Sequence, residues 1–147
     1  MHAVGKITLF FAAGSIYVAT HLSKISDLNG IGKSMPLTFI AFFIGSLSII
    51  GVPPMGGSWS KFYLMLGSVE KEYLVVISIL CISTLLNVYY LLEIPAKAFF
   101  QPQKTNTQVT KHPLIVYPTF FAAILTIVLF IYIEPLKNIT NLLFGNQ

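Results

Sequence analysis

The chain has 147 residues, of which 55% are hydrophobic and 10% charged, with a formal net charge of +4. Soluble domains carry roughly 25% charged residues, and a domain of this size leaves much of its surface in solvent, so this composition argues against a water-soluble protein. All nine basic residues are lysines, scattered singly without a basic face, which argues against a nucleic-acid partner; the single cysteine, Cys81, excludes an internal disulfide.

Taken in order, the chain reads as an all-α, polytopic membrane helix bundle of about four spans in one membrane region. The first span covers residues 3–20, where 18 to 20 residues at about 1.5 Å each cross a hydrocarbon core of roughly 30 Å. His2 and Lys6, four residues apart, share one face of it. No small-residue cleavage site closes this run as a signal peptide would require. Residues 21–36 are a polar connection, with a turn at Asn29-Gly30 and Pro36 suited to the first turn of the next helix. The second span, 37–68, is broken over residues 52–57. There Pro53 and Pro54 remove two backbone donors, and Gly56 and Gly57 permit positive φ. Residues 68–73 form a short polar connection. The third span, 74–94, is expected to end at Glu93 and Pro95. Residues 96–112 form a polar loop with Lys97, Lys104 and Lys111, and the last span is 113–133, closed by Glu134-Pro135. Residues 136–147 form a short amphipathic tail. The 21–36 and 96–112 loops hold five lysines against Lys71 and Lys137 on the other side, so the positive-inside rule predicts cytoplasmic loops and outward termini.

The second span carries the strongest chemical signal. Irregular backbone at membrane depth is tolerated only where protein or water satisfies it, and interrupted helices of this kind recur in ion pathways. Lys61 directly follows the break. A lysine near the bilayer centre costs about 2.5–3.5 kcal/mol on insertion scales, which marks it as a candidate proton-exchange group. The competing reading is an anchoring lysine whose ammonium reaches the headgroups. His2 and Lys6 are a second candidate pair for passing protons, or else interfacial residues where the chain begins. Ser46, Ser48, Ser58 and Ser60 bracket the break and either bond freed backbone or serve packing, and Asn87 is expected to hydrogen-bond across helices. No catalytic triad, phosphate-cradling loop, carboxylate pair or metal cluster is legible, so neither a cofactor nor conventional enzyme chemistry is expected.

The run His2-x-x-x-Lys6-x-x-Leu9-Phe10-x-x-x-Gly14 resembles a helix of the antiporter-like membrane proteins, namely the D component of Mrp cation/proton antiporters and the large membrane-arm subunits of respiratory complex I. Gly30-Ile31-Gly32-x-x-Met35-Pro36 resembles their Gly-Leu-Gly-x-x-Met-Pro loop. The stretches 45–54 and 57–61 resemble their broken twelfth helix. The likeness covers about residues 2–100. It implies that His2 and Lys6 belong to the eleventh of fourteen helices, and that Lys61 is the terminal proton-exchange site, a position some relatives fill with glutamate. The family's acidic and basic residues of the fifth, seventh and eighth helices have no counterpart here. The chain is therefore expected to be the C-terminal third of a larger fold. Its expected partners are the lipid bilayer, other antiporter-complex subunits, a chain carrying the N-terminal helices, protons and sodium. The alternatives are a non-conducting structural subunit or gene remnant, and a membrane-arm subunit of an NADH:quinone oxidoreductase complex.

Overall fold

The computed structural model describes residues 2–103 and 113–144, and among these every regular element is a helix. The order is α1 (His2–Thr20), two short 3₁₀ turns (Ile25–Asp27 and Ile31–Lys33), α2 (Pro36–Ile50), α3 (Gly56–Glu70), α4 (Leu74–Phe100), α5 (Pro113–Ile131) and α6 (Ile133–Phe144). Three of these, α1, α4 and residues Leu114–Ile131 of α5, are long and apolar enough to cross a membrane. The 15 residues of α2 form a shorter apolar helix that reaches only about 22 Å, short of a hydrocarbon core of roughly 30 Å.

Where α1, α2 and α5 meet, the buried positions are rich in small and hydroxyl-bearing residues, alongside the large apolar Ile16, Phe39, Phe42 and Ile50, while many other large apolar side chains lie on the outside. α1 buries Gly5, Thr8, Ala12, Ser15 and Ala19, one residue per turn of the helix. α2 buries Thr38, Ala41, Gly45 and Ser48, of which Gly45 and Ser48 lie against α1, and α5 contributes Thr119, Ala122, Ala123 and Thr126. The helices approach closely as a result. A Cβ on Gly45 would lie 3.1 Å from the Thr8 methyl carbon, and one on Gly5 would lie 3.2 Å from Ser48 Oγ. Four of the buried hydroxyls donate to carbonyls of their own helices: Thr8 to Val4, Ser46 to Phe42, Thr119 to Ile115, Thr126 to Ala123. Phe10, Leu74 and Leu114 are meanwhile 77%, 73% and 84% exposed. In water this distribution would be unstable. In lipid, where apolar side chains gain nothing by burial, close packing of small residues is what holds helices together.

Several boundaries differ from the sequence reading. The break occupies residues 51–55, not 52–57, and Gly56 and Gly57 are the first residues of α3. Neither takes positive φ; Gly51 does, at +87°, closing α2 in the left-handed conformation. Pro53-Pro54 is a cis bond within the break. Pro95 does not end α4, which runs on to Phe100 with Glu93 paired to Lys97 one turn later. Proline removes one helix bond, and membrane helices tolerate that loss where neighbours re-satisfy the backbone. Glu93 is therefore half of an ion pair rather than a boundary charge. The last span ends at Ile131, and Glu134 and Pro135 lie in the first turn of α6. Lys104, Lys111 and most of the 96–112 loop lie outside the described residues.

The second half of the 21–36 connection is largely buried, whereas most of residues 21–26 are exposed. Leu28, Asn29, Gly30, Ile31, Gly32 and Met35 are buried, and Leu28, Ile31 and Met35 join Ile16, Ala19, Phe39 and Ala98 in the largest apolar cluster. The Gly30 N–H donates to the Lys97 carbonyl at 3.3 Å, which puts this loop and the end of α4 on the same side of the bundle. A Cβ on Gly32 would stand 2.9 Å from the Ala98 carbonyl oxygen. Gly32→Val is therefore expected to destabilise the protein by about 1–3 kcal/mol through overpacking. Thermal unfolding in detergent checks this, and an unchanged midpoint would show that the loop is not clamped to α4.

Candidate functional site: the junction of two half-helices

The site begins with two missing donors. In a continuous helix the carbonyls of Ile49 and Ile50 would accept from the N–H groups four residues on, at Pro53 and Pro54, which have none. The Gly51 and Val52 N–H groups both turn back to the Leu47 carbonyl at 2.9 and 3.1 Å, so α2 closes in a Schellman-like cap with its last carbonyls free. Lys61, six residues into α3, reaches back to fill one of these places. Its Nζ donates to the Ile50 carbonyl at 2.8 Å and to Thr84 Oγ1 of α4 at 3.0 Å. The ammonium thus sits at the negative end of the α2 dipole, where a cation is favoured.

Gly51 and Gly57 make this geometry possible. The Lys61 stem crosses Gly51 so closely that a Cβ there would lie 2.8 Å from Lys61 Cδ. A Cβ on Gly57 would run into the Ser48 carbonyl, so the start of α3 lies directly against the end of α2. Ser58 Oγ donates to the Met55 carbonyl at 2.7 Å, which also accepts the Ser58 N–H at 3.0 Å at the start of α3. Ser46 bonds its own helix, Ser60 is exposed, and the buried Ser48 hydroxyl has no partner. Trp59 packs with its ring tilted or stacked against Phe130 and Tyr63.

His2 and Lys6 come together as the sequence predicts, on one face of α1. With Leu9, Phe10, Ile49, Ser83, Asn87, Tyr90 and Leu91 they line an open cavity of about 470 Å³. Two of its wall residues, Ile49 and Ser83, directly precede Ile50 and Thr84, the acceptors of Lys61. The cavity therefore runs alongside the half-helix junction. Asn87 does not bond across helices; its Oδ1 accepts from the Tyr90 hydroxyl on its own helix. Ser83, Asn87 and Tyr90 fall three or four residues apart, a polar stripe facing Lys6 from α4. Sequence reasoning missed Thr84, and this stripe beside it was the available signal. Among the described residues no group of three metal-ligating side chains comes together.

The profile of the NADH:quinone oxidoreductase/Mrp antiporter transmembrane family matches residues 1–87, more than half of the chain. The chain is 41% identical over 100 residues to the NADH-quinone oxidoreductase subunit N of Desulforudis audaxviator, an alignment covering 68% of this chain and 20% of that protein. It is 30% identical over 140 residues to the D component of the Na(+)/H(+) antiporter of Alkalihalophilus pseudofirmus, covering 92% of this chain and 28% of that one. A second subunit N, from Desulfitobacterium hafniense, is 29% identical over 138 residues, 90% of this chain and 28% of the relative. The chain thus spans between a fifth and under a third of the length of these relatives. By this match and by its helical, multi-pass membrane architecture, the chain belongs to the NADH:quinone oxidoreductase/Mrp antiporter transmembrane family.

Proposed function

We propose that this chain forms part of the proton pathway of a cation/proton antiporter-like assembly, with Lys61 as the group that loads and releases the proton. The observation that carries the reading is the junction itself. A lysine ammonium replaces the backbone donor that Pro54 lacks, at the end of a helix interrupted inside the bundle. His2 and Lys6, across the adjoining cavity, connect Lys61 toward helices supplied by a partner chain. The family relation and the exposure of His2 and Lys6 on this face of α1 support that dependence on a partner. Sodium is the proposed counter-ion, by the name of the Na(+)/H(+) antiporter relative. The placement is a bacterial cell membrane with the lysine-rich loops in the cytoplasm and both termini outward, in keeping with the lysine bias.

The test is proton uptake by the chain purified with its membrane partners and reconstituted into liposomes. Lys61→Ala is expected to remove uptake. Uptake unchanged by that substitution refutes the role. Co-purification of a polypeptide with the remaining helices supports partner dependence, and full activity of the chain alone overturns it. A second reading, a membrane-arm subunit of an NADH:quinone oxidoreductase complex, is favoured by the subunit N relatives. It uses the same junction and differs in the partners recovered.

A further inference from the structure

Thr84 stands in the middle of α4, where its hydroxyl has two neighbours. It donates its own proton to the Leu80 carbonyl at 2.8 Å and accepts from Lys61 Nζ at 3.0 Å. Because that single proton is already committed, only lone pairs face the lysine. The other partner of Lys61, the Ile50 carbonyl, is also an acceptor. The two hold the nitrogen as a donor from α2 on one side and α4 on the other. Neither can itself protonate the amine. On the elements packed against this pair, α1 carries His2 and Lys6, which line the adjoining cavity, while α2, α5 and residues 74–92 of α4 carry no Asp, Glu, Lys, Arg or His.

We propose that Thr84 is a positioning residue for proton transfer at Lys61, the group that keeps the ammonium docked on the end of α2 rather than swung toward the cavity lined by His2 and Lys6. The inference rests on the proposed role of Lys61. α4 is the right element for such a task. Along its length it buries only Leu91, Pro95 and Ala98, so its middle is held to the bundle by few apolar contacts. The bond from Lys61 to Thr84 is a polar tie between α3 and that otherwise loosely packed stretch. A shift of α4 would therefore release the lysine, and release of the lysine would free α4.

The experiment compares Thr84→Val, which keeps the shape and removes the acceptor, with Thr84→Ser, which keeps the acceptor. Two readouts are taken on the reconstituted assembly: the pH profile of proton uptake, and labelling of Lys61 by a small amine-reactive ester in intact membranes, read by peptide mass spectrometry. A hydrogen bond to a charged group corresponds to roughly a 10-fold effect or more. Thr84→Val is expected to lower uptake by about that factor at fixed pH, displace the profile, and raise Lys61 labelling several-fold, with Thr84→Ser near wild type. Wild-type profile and labelling in Thr84→Val would overturn the proposal. Should the valine variant fail to accumulate, Thr84→Ala takes the same labelling measurement, which needs no transport, and labelling equal to wild type is again negative. Loss of uptake in Lys61→Ala with none in Thr84→Val removes the Thr84 assignment alone. Uptake intact in Lys61→Ala removes the underlying role of Lys61.

Discussion

Lys61→Met is expected to stop proton uptake while the protein stays folded. The energetic terms nearly cancel in the folded state. Placing a lysine near the bilayer centre costs about 2.5–3.5 kcal/mol. The bonds to the Ile50 carbonyl and Thr84 Oγ1 return about 1.5–3 kcal/mol each. Methionine removes the first term and the second together, fills a similar volume, and leaves one carbonyl short of a donor. The net change in stability is about 2 kcal/mol or less, and replacement of buried charge by an apolar side chain of like size is often neutral. The loss of transfer is not offset by anything. Uptake should fall to the background of empty liposomes, more than about 100-fold, with the detergent unfolding midpoint moved by only a few degrees. Lys61→Arg sharpens the result. The guanidinium keeps the charge and the donors, so it can dock on α2, but it does not give up its proton in proteins. An inactive, well-folded arginine variant shows that proton release at this position is required. An active one shows that a fixed positive charge suffices, and the proton-exchange role of Lys61 then falls.

How far the sequence reveals this site depends on which physical signal each part leaves. The break and its lysine are legible because Pro-Pro and Gly-Gly inside an apolar run have few other uses, and a charge beside them is costly at that depth. Its register was not legible. Any of the three glycines at 51, 56 and 57 can take positive φ, and only the way α3 lies against α2 selects Gly51 for the turn and Gly57 for the close approach. The cavity face of α1 was legible from the i, i+4 spacing of His2 and Lys6. Thr84 was not, because a threonine in a long apolar run is as readily a packing residue bonded to its own helix, and here it is both. The burial of residues 28–35 was not legible in the polar 21–36 connection because the loop packs through backbone. Its glycines let main chain meet main chain at Lys97 and Ala98, and hydropathy carries no trace of that. Pro95 misled for a related reason. The rule that proline ends helices is weakest in membrane spans, where α4 in fact continues.

Gly57→Val is expected to be the most damaging single substitution at the junction, for steric rather than chemical reasons. The Cβ direction at Gly57 points into the Ser48 carbonyl, which is backbone of a buried helix and cannot rotate away as a side chain would. α3 must therefore lift off α2, and Lys61, one turn further along, is carried from the Ile50 carbonyl with it. The variant loses the packing of the small-residue interface and the docking of the charge at once. A loss of about 3 kcal/mol or more is expected, at or beyond the upper end for overpacked cores. Gly57→Ala should already show much of it, since the clash begins at Cβ. Gly14 and Gly67 give the internal control: both are helical, and a Cβ on either meets nothing within 4 Å. Alanine there should be neutral or stabilise by about 0.5–1 kcal/mol through helix propensity alone. Thermal unfolding of the four variants in one detergent decides the matter. A Gly57→Ala midpoint equal to that of Gly14→Ala would mean that α2 and α3 do not meet at Ser48, and the junction that positions Lys61 would have to be redrawn.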